Sequence, residues 1–398
     1  MNKNKGISNI EEMGNNFLII KEAVCEGFQA PISMPDLSGN ELKYIVDCVN
    51  SGWISSQGQY VQRFENGFSD FTQNKFGIAV MNGTVALHLA LLALGIEEGD
   101  EVILPDLTFA ATINAVLYVG AKPVIVDVGV DDWCISPDAI EKAITTKTKA
   151  IIPVHLYGQV CDMDVIMEIA KEYNLKVIED CAEAHGAEFN GQKVGSFGDI
   201  GCFSFFANKI ITTGEGGMCV TNSESLAEEL RVLRDHGMSK TKRYWHEKVG
   251  YNYRLTNLQA AIGCAQLENI SSILEKRDEI EKLYIDGLKD IKEISFQGKF
   301  DMRKKVTWLT SALLNPTVNR VVFINKMSAV GIDIRPFFYP LSTMPIYSQY
   351  SNDHGNPVAL ELSQRGINLP TMTCKNSDFY ATIIAQIKAF FCQTMEGN

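Results

Sequence analysis

Residues 150–180 read AIIPVHLYGQVCDMDVIMEIAKEYNLKVIED. The apolar runs at 150–155 and 176–179 have the length and composition of buried strands, and the segment 163–173 between them has those of a helix. A strand, a helix and a second strand in this order form a unit in which the two strands run parallel. This stretch therefore predicts an α/β fold.

The same alternation continues on both sides of this stretch. The helices expected there span 84–94, 108–119 and 225–236, and the strands span 101–104, 122–127, 201–206 and 217–221. Short apolar strands between helices of about a dozen residues indicate a mainly parallel sheet with helices on both faces. Ligands of such sheets bind beyond the carboxyl ends of the strands, so the residues that follow each strand are the candidates for function.

Beyond the sheet region the pattern changes. Residues 258–283 read as one long helical stretch, and a smaller α+β region follows, with strands around 306–314 and a last helix near 380–391. A chain of 398 residues is long enough for two domains. We predict a large domain at 31–270, a small C-terminal domain at 271–398 and an appended arm of unassigned role at 1–30.

Composition and charge exclude several classes of protein. The net charge is −12, and no basic stripe is present that could replace the counterions of a nucleic acid. No apolar run approaches the roughly 20 residues of a membrane-spanning helix, and the N-terminus lacks the pattern of a secretory signal. The ten cysteines are scattered, without the spacing of a metal site. We expect a cytoplasmic protein with no bound metal, no nucleic-acid partner and no membrane partner.

One lysine lies where the chain is expected to leave a strand, in the segment SFFANKIITTGEGG at 204–217. Lysine is the side chain that forms an imine with an aldehyde, and the glycines that follow Lys209 let backbone amides approach a ligand closely. A surface lysine before a β-turn is the alternative interpretation.

An aspartate ends an expected buried strand in the segment VIEDCAEAHG at 177–186. A carboxylate without a partner would be costly there, and a protonated pyridine nitrogen would stabilise it. Asp180 as a cap of the following helix is the alternative. Its combination with Lys209, 29 residues later after another strand, favours the functional interpretation. His185 lies in the same segment, and the sequence leaves open whether it forms a structural hydrogen bond or contacts a cofactor.

Two further segments follow expected strands. Asn82-Gly83-Thr84 opens an apolar helix, whose free amides and positive dipole end suit a phosphate, with the Thr84 hydroxyl as a further donor. Phe109 follows the strand at 101–104, and its ring could stack on a flat heteroaromatic ring. An ordinary N-cap and core packing are the respective alternatives.

Together these segments resemble the DegT/DnrJ/StrS family of sugar aminotransferases, which are pyridoxal-phosphate enzymes of fold type I. The resemblance runs from about residue 32 to the C-terminus. Besides SFFANKIITTGEGG, the matching motifs are WISSQG at 53–58, NGT at 82–84, PDLTFAA at 105–111, HLYG at 155–158, EDCAEAHG at 179–186 and GYNYR at 250–254. The resemblance implies an aspartate-aminotransferase-like large domain and pyridoxal 5'-phosphate as the cofactor.

The family's site residues carry over by motif. Lys209 resembles the Schiff-base lysine and Asp180 the partner of the pyridinium nitrogen, and these two are the predicted catalytic residues. Phe109 matches the aromatic residue that stacks on the ring. The groups that bind the cofactor phosphate correspond to Gly83, Thr84 and Ser204.

Asn252 matches the residue that reaches the phosphate from the neighbouring subunit in this family. The resemblance therefore implies a homodimer with shared active sites.

Glu183 departs from the broad family pattern. Many members carry Gln at this point, beside the ring oxygen of the cofactor. In carrying Glu here, the chain resembles the subgroup that makes GDP-perosamine from GDP-4-keto-6-deoxy-D-mannose, with L-glutamate as amino donor. GDP-perosamine is used in O-antigen and lipopolysaccharide biosynthesis. WISS at 53–56, YWH at 244–246 and RPFFYP at 335–340 resemble the same subgroup. The candidate contacts to the nucleotide sugar are Ser56, His246 and Arg335; a plain loop is the alternative interpretation of Ser56 and Arg335, and the role of His246 is also open.

Three other functions stay open at the level of sequence. Relatives that act on UDP- or dTDP-linked keto sugars differ by few recognisable residues. The related sugar 3-dehydratases carry His in place of Lys209, so the amine here favours transamination. A non-catalytic regulatory protein on the same fold would be expected to lose Lys209, Asp180 or the phosphate turn, and the chain retains all of them.

Overall fold

The strands predicted around residues 150–180 belong to a seven-stranded sheet in the computed structural model, which describes residues 28–239, 241–351 and 355–395. The first nine strands are β1 (Phe76–Val80), β2 (Glu101–Pro105), β3 (Lys122–Val126), β4 (Thr148–Ile151), β5 (Lys176–Asp180), β6 (Glu188–Phe189), β7 (Gln192–Lys193), β8 (Ile200–Ser204) and β9 (Gly217–Thr221). Across the sheet the order is β1-β9-β8-β5-β4-β2-β3. β9 runs antiparallel to both neighbours and the remaining pairs are parallel, so the predicted mainly parallel sheet is confirmed.

Helices cover both faces of this sheet. In chain order the helices are α1 (Glu41–Ser51), α2 (Gln59–Phe71), α3 (Gly83–Ala93), α4 (Ala110–Tyr118), α5 (Pro137–Ala143), α6 (Met163–Glu172), α7 (Glu224–Arg234), α8 (Asn257–Glu268), α9 (Ile270–Leu288), α10 (Arg320–Ala329), α11 (Pro357–Arg365) and α12 (Ser377–Met395). α3, α4 and α7 share a core with one face, and α1, α2, α6 and α8 with the other. Successive strand residues point to opposite faces, so Val177 lies in one core and Ile178 in the other.

The C-terminal part of the chain builds a second sheet. Its strands are β10 (Ile294–Phe296), β11 (Arg303–Lys304), β12 (Thr310–Leu314), β13 (Arg335–Pro336) and β14 (Gly366–Leu369). Four of them pair antiparallel in the order β10-β12-β14-β13, whereas β11 joins β6. A third core around Tyr284, Phe323 and Phe391 joins this sheet to α9, α10 and α12. The predicted smaller α+β region is confirmed.

The C-terminal part also returns to the large sheet, at the ends of β2 and β3. The buried carboxylate of Asp106 accepts hydrogen bonds from the N–H of Ser342 at 2.7 Å, from its hydroxyl at 2.6 Å and from the amide of Asn356 at 2.9 Å. Asp127 accepts two N–H bonds from the first turn of α11. These bonds fasten the C-terminal part to the edge of the sheet at which ligands are expected.

The prediction of a single helix at 258–283 is wrong, because the chain forms two helices there. α8 ends at Glu268 and α9 begins at Ile270, because Asn269 between them has a non-helical backbone (φ −104°, ψ 3°). Asparagine is a weak helix former because its amide competes for backbone groups, and here it donates to the carbonyl of Ala265. The domain boundary near this point stays a prediction.

Several other predicted ends shift by a few residues, and two of these shifts lie close to the ends of strands of the large sheet. The strand expected at 150–155 ends at Ile151, since the second residue after it is a proline, which has no N–H to donate to a ladder. The helix expected at 108–119 begins at Ala110, because Phe109 has an extended backbone (φ −72°, ψ 146°). Phe109 is therefore free to present its ring from a loop.

The N-terminal arm predicted at 1–30 lies outside the described residues except for its last three. Of these, Ala30 is buried and forms a parallel backbone bridge with Ile332. In the described part of the chain, no helix is long and apolar enough to cross a membrane.

Candidate active site

A cavity of about 400 Å³ opens at the carboxyl ends of β5 and β8. Seven of the residues that the sequence predicts for the site line it, namely Gly83, Thr84, Phe109, Asp180, Glu183, Ser204 and Lys209. They follow β1, β2, β5 and β8 in the chain or end them. The fold brings them together because the chain leaves parallel strands at the same edge of a sheet.

Asp180 is the last residue of β5, and its carboxylate is buried. The Thr112 hydroxyl donates to Oδ2 at 2.9 Å, and the N–H of Ala182 donates to Oδ1 at 3.2 Å. Burial raises the pKa of the Asp180 carboxyl, while these hydrogen bonds and the charge of Lys209 oppose the rise. A further cation bound in the cavity would therefore stabilise this carboxylate.

Lys209 lies in the turn between β8 and β9 and points its amine into the same cavity. Nζ is 3.5 Å from Oε1 of Glu183 and 3.9 Å from the centroid of the Trp308 ring. Trp308 is itself fixed, since its Nε1–H donates to the carbonyl of Asn208 at 2.7 Å. A carboxylate on one side and an aromatic face on the other thus hold the amine in position.

Glu183 is buried three residues after Asp180. Its Oε2 accepts the N–H of Tyr157 at 2.8 Å, and Tyr157 has a left-handed backbone (φ 52°), which few residues other than glycine adopt. The Tyr157 hydroxyl accepts the N–H of Phe338 at 3.0 Å, which ties this turn to the C-terminal part. Burial raises the pKa of Glu183 to about 7, and the charge of Lys209 limits the rise.

The opposite end of the cavity is formed by the first turn of α3. The Asn82 side chain caps this helix by accepting the N–H of Val85 at 2.9 Å. Gly83 approaches Ser204 so closely that an added Cβ would lie 2.8 Å from the Cβ of Ser204. A helix N-terminus, a backbone without a side chain and the hydroxyls of Thr84 and Ser204 form a cradle suited to a phosphate.

Phe109 lines the mouth of the cavity, and 59% of its surface is exposed. Its ring centroid lies 5.7 Å from that of Phe338, at an angle of 50° between the ring planes. The alternative interpretation of Phe109 as a core residue is therefore wrong. An exposed aromatic ring at this point can cover a flat heteroaromatic group in the cavity.

Four predicted residues do not line this cavity in the single chain. Asn252 is exposed and accepts hydrogen bonds from the Arg254 guanidinium at 3.0 and 3.2 Å. Arg335 is paired with Asp333 at the surface. The two others, Ser56 and His246, are also absent from its lining. Their roles as contacts to cofactor or substrate stay predictions.

Three side chains that shape the site are missed by sequence analysis. Thr112 lies one helical turn after Thr108, and its hydroxyl is 3.1 Å from that of Thr108, so the spacing of the two threonines was an available signal. Phe338 lies within the RPFFYP motif, which does not reveal its role. Trp308 lies between β11 and β12, 99 residues after Lys209, and local sequence gives no sign of its role.

Behind the cavity the fold brings together His155, Glu179 and Cys181, whose ligand atoms lie within 4.8 Å of one another. Glu179 also accepts three backbone N–H bonds from residues 195–198, and Nδ1 of His155 accepts the N–H of Cys161. The atoms of Glu179 and His155 that could bind a metal are therefore already engaged in hydrogen bonds, which is the arrangement of a structural network.

His185 is buried among the rings of Phe68, Phe203 and Phe205. Burial lowers the pKa of this imidazole to about 3, so the ring is neutral. It is not among the residues that line the cavity, so a cofactor contact is not supported, and the described geometry shows packing against these rings in place of the expected structural hydrogen bond.

The model of the DegT/DnrJ/EryC1/StrS aminotransferase family matches residues 35–388. The chain belongs to this family. The GDP-perosamine synthase of Escherichia coli O157:H7 is 45% identical over 361 residues, which are 91% of this chain and 98% of that protein. The GDP-perosamine synthase of Vibrio cholerae is 43% identical over 366 residues, or 91% of this chain and 99% of that protein.

Among solved structures, Spr1654 of Streptococcus pneumoniae in its PLP form matches this aminotransferase with a TM-score of 0.85 and 29% identity, covering 91% of this chain and 98% of that one. Pyridoxal phosphate is accordingly the cofactor of this aminotransferase, as the sequence predicts. The cavity fits it, since a buried carboxylate, a lysine amine and the cradle at Gly83 match its ring nitrogen, its aldehyde and its phosphate.

Proposed function

We propose that this aminotransferase moves the amino group of L-glutamate to the 4-keto group of GDP-4-keto-6-deoxy-D-mannose and so makes GDP-perosamine. The observation that carries the reaction type is the Lys209 amine, held 3.5 Å from Glu183 in the cavity that also contains the Asp180 carboxylate. The names of the relatives from Escherichia coli and Vibrio cholerae support this choice of substrate.

Besides Lys209, five residues that line the cavity would hold the cofactor. The first turn of α3, with Gly83 and Thr84, and the Ser204 hydroxyl would bind its phosphate. Asp180 would pair with its ring nitrogen, and Phe109 would cover its ring and limit the access of water. When bound, pyridoxal phosphate supplies an electron sink for the carbon that loses or gains a proton.

Lys209 would act as the general acid and base at the reacting carbon. Its Nζ would bind the aldehyde carbon covalently in the resting enzyme and, once released by the amino donor, would move a proton between the α-carbon of glutamate and the former aldehyde carbon. Asp180 would favour this transfer by keeping the ring nitrogen protonated. The second half of the reaction, on the keto sugar, would use the same groups in reverse order.

The test is a panel of GDP-, UDP- and dTDP-linked keto sugars, each incubated with the purified protein and L-glutamate. We expect an amino sugar from the GDP-linked 4-keto sugar, with the new nitrogen located at ring position 4 by NMR. A product without nitrogen would indicate a dehydratase, and nitrogen at position 3 would indicate a 3-aminotransferase. No turnover on any sugar would favour a regulatory protein.

Lys209→Ala tests the residue that carries the proposal. We expect loss of turnover and of the imine absorption band in a chain that still folds, because no other amine replaces Nζ. Lys326→Ala, which removes an amine from the last turn of α10, is the matched control and should behave as the unaltered protein. Full activity of Lys209→Ala would rule out the proposed role.

We also infer that two copies of the chain share their active sites. Large apolar side chains are exposed near the cavity mouth and in the loops at 53–54 and 244–249; they are Trp53, Ile54, Phe109, Phe206, Tyr244, Trp245 and Val249. Exposed apolar surface of this kind is typical of a subunit interface. A partner seated there would bring its own Asn252 and His246 to the cavity.

The proposed compartment is the cytoplasm. The nine cysteines of the described residues are all free thiols, and a reducing compartment keeps them so.

A further inference from the structure

One arginine of α9 is buried behind the wall of the cavity. Only 2% of Arg277 is exposed, and its Nη1 donates a hydrogen bond of 2.5 Å to the backbone carbonyl of Trp308. Trp308 lines the cavity, with its ring centroid 3.9 Å from Nζ of Lys209. Arg277 therefore binds the residue that borders the reactive amine.

Among the described residues, no acid forms an ion pair with Arg277. Glu281, one helical turn later, is paired with Lys305 at 2.7 Å instead. Burial lowers the pKa of Arg277 to about 10, and the charge of Asp36, which is itself paired with Lys276 at 3.6 Å, opposes this fall only in part. The guanidinium is thus a buried cation at neutral pH, and a charged donor holds a carbonyl more firmly than a neutral one.

Trp308 is held at two points, and both lead to the site. Its carbonyl accepts the bond from Arg277, and its Nε1–H donates at 2.7 Å to the carbonyl of Asn208, the residue before Lys209. The ring also stacks on that of Tyr157, with 6.0 Å between the centroids and 19° between the planes. The indole therefore contacts both the main chain beside Lys209 and the amine itself.

We propose that Arg277 is a positioning residue for transamination, which holds the carbonyl of Trp308 so that the indole aligns the Lys209 amine. This inference rests on the proposed role of Lys209 as the amine that reacts with the cofactor. Arg277 does not line the cavity, so it would touch neither cofactor nor substrate. Its effect on the reaction would pass through Trp308.

Arg277→Met tests this role, because it removes the guanidinium and keeps an unbranched side chain. The carbonyl of Trp308 loses its donor, and the ring is then free to move away from the amine. Since a small displacement of a reacting group lowers the rate of the chemical step, we expect kcat for transamination to fall by about tenfold or more. The KM for L-glutamate should change by less than about threefold, because no substrate contact is lost.

Arg365→Met is the matched control. Nε of Arg365 donates at 2.8 Å to the carbonyl of Leu314, at the end of β12 that is far from Trp308 in the chain. Each variant removes a hydrogen bond from an arginine to a backbone carbonyl, so each should lower the urea concentration at which the cofactor-free chain unfolds. A loss of kcat is expected from Arg277→Met alone.

A second substitution shows whether the effect passes through the indole. Trp308→Leu should slow the reaction by itself, and Arg277→Met added to it should lower kcat little further, because the ring that the arginine positions is gone. The loss of stability should remain in the double variant. If Arg277→Met folds poorly, Arg277→Lys, which keeps a charged donor of different geometry, should give a smaller loss of kcat that also disappears with Trp308→Leu.

The indole N–H gives a reading that needs no cofactor. It is hydrogen-bonded to Asn208, and only 4% of Trp308 is exposed, so its exchange with deuterium should be slow. NMR of the cofactor-free chain with isotope-labelled tryptophan follows this exchange, and the signal of Trp308 is the one that Trp308→Leu removes. We expect Arg277→Met to accelerate the exchange and Arg365→Met to leave it unchanged.

The outcomes separate this inference from the function on which it rests. An unchanged kcat in Arg277→Met, or an equal loss of kcat with and without Trp308→Leu, would overturn the positioning role. Unchanged exchange of the Trp308 indole N–H in Arg277→Met would do the same. An unaltered chain that forms no imine band with pyridoxal phosphate would instead overturn the role of Lys209, and with it the proposed function.

Discussion

In the proposed reaction Asp180 has to stay ionised, although it lies in a position where burial favours its neutral form. Two donors oppose burial from the protein side, the N–H of Ala182 and the hydroxyl of Thr112. The first belongs to the turn that follows β5, whereas the second comes from α4, after a different strand. Thr112 is thus a positioning residue that couples the orientation of α4 to the charge of the carboxylate.

Thr112→Val tests this coupling with a change that preserves the shape of the side chain. We expect transamination to slow by about tenfold, because a hydrogen bond to a charged group contributes about 1.5 kcal/mol. The pH dependence of the ring's absorption band should also change, since loss of this donor raises the pKa of the Asp180 carboxyl, which then competes with the ring nitrogen for the proton.

Thr108→Val is the matched control for this change. Its hydroxyl contacts that of Thr112 but not the carboxylate, so its effect on the rate should be smaller. A Thr112→Val protein with an unchanged rate and an unchanged pH response would show that Asp180 does not depend on this donor.

At the scale of secondary structure, the start of α3 is the element that would form the phosphate end of the proposed cofactor site. Asn82 satisfies the N–H of Val85 and so fixes where the helix begins. The absence of a side chain at Gly83 lets this turn pack against Ser204 of β8. The start of α3 and the end of β8 are therefore so close that any larger residue at position 83 would push them apart.

Gly83→Ala measures what that separation contributes. The added Cβ would lie 2.8 Å from the Cβ of Ser204, so the turn has to move away from the strand. We expect the dissociation constant for pyridoxal phosphate, followed by absorbance titration, to rise by at least about tenfold, an effect of about 1.4 kcal/mol. Gly298→Ala, at a position with open space around it, should leave the affinity unchanged.

The positions of helices and strands also show which parts of the fold and of the candidate site can be predicted from the sequence. The positions of Asp180, Lys209 and Gly83 near one another could be predicted because each of them ends or follows a strand, and parallel strands bring such positions to one edge. The break at Asn269 was missed, since the apolar and charged residues on both sides continue the same helical composition. Trp308 could not be found, because it reaches the cavity from a second sheet whose placement depends on tertiary packing.

For the whole molecule, the cavity belongs to both parts of the chain. The large sheet supplies Lys209 and Asp180, and the C-terminal part supplies Trp308 and Phe338. The carboxylate of Asp106 fastens the two together through Ser342. Asn252 and His246, in contrast, lie outside the cavity of their own chain, and in the proposed dimer they would lie at the cavity of the partner.

Mixing two inactive variants tests whether sites are shared. We expect Lys209→Ala and Asn252→Ala to be impaired when each is assayed alone, and their equimolar mixture to recover up to about a quarter of full activity after subunit exchange. The mixed dimer contains one site in which an intact Lys209 meets an intact Asn252 from its partner. A mixture no more active than the mean of its components would argue for sites built within single chains.

The position of Trp308 against the Lys209 amine has an optical consequence. An indole 3.9 Å from the atom that would carry the coloured cofactor is close enough to pass its excitation to that chromophore, so its emission would be quenched on binding. The chain contains four tryptophans, and of these Trp308 is the one that lines the cavity. The decrease in its fluorescence would therefore report the fraction of the protein that has bound cofactor, before any sugar is added.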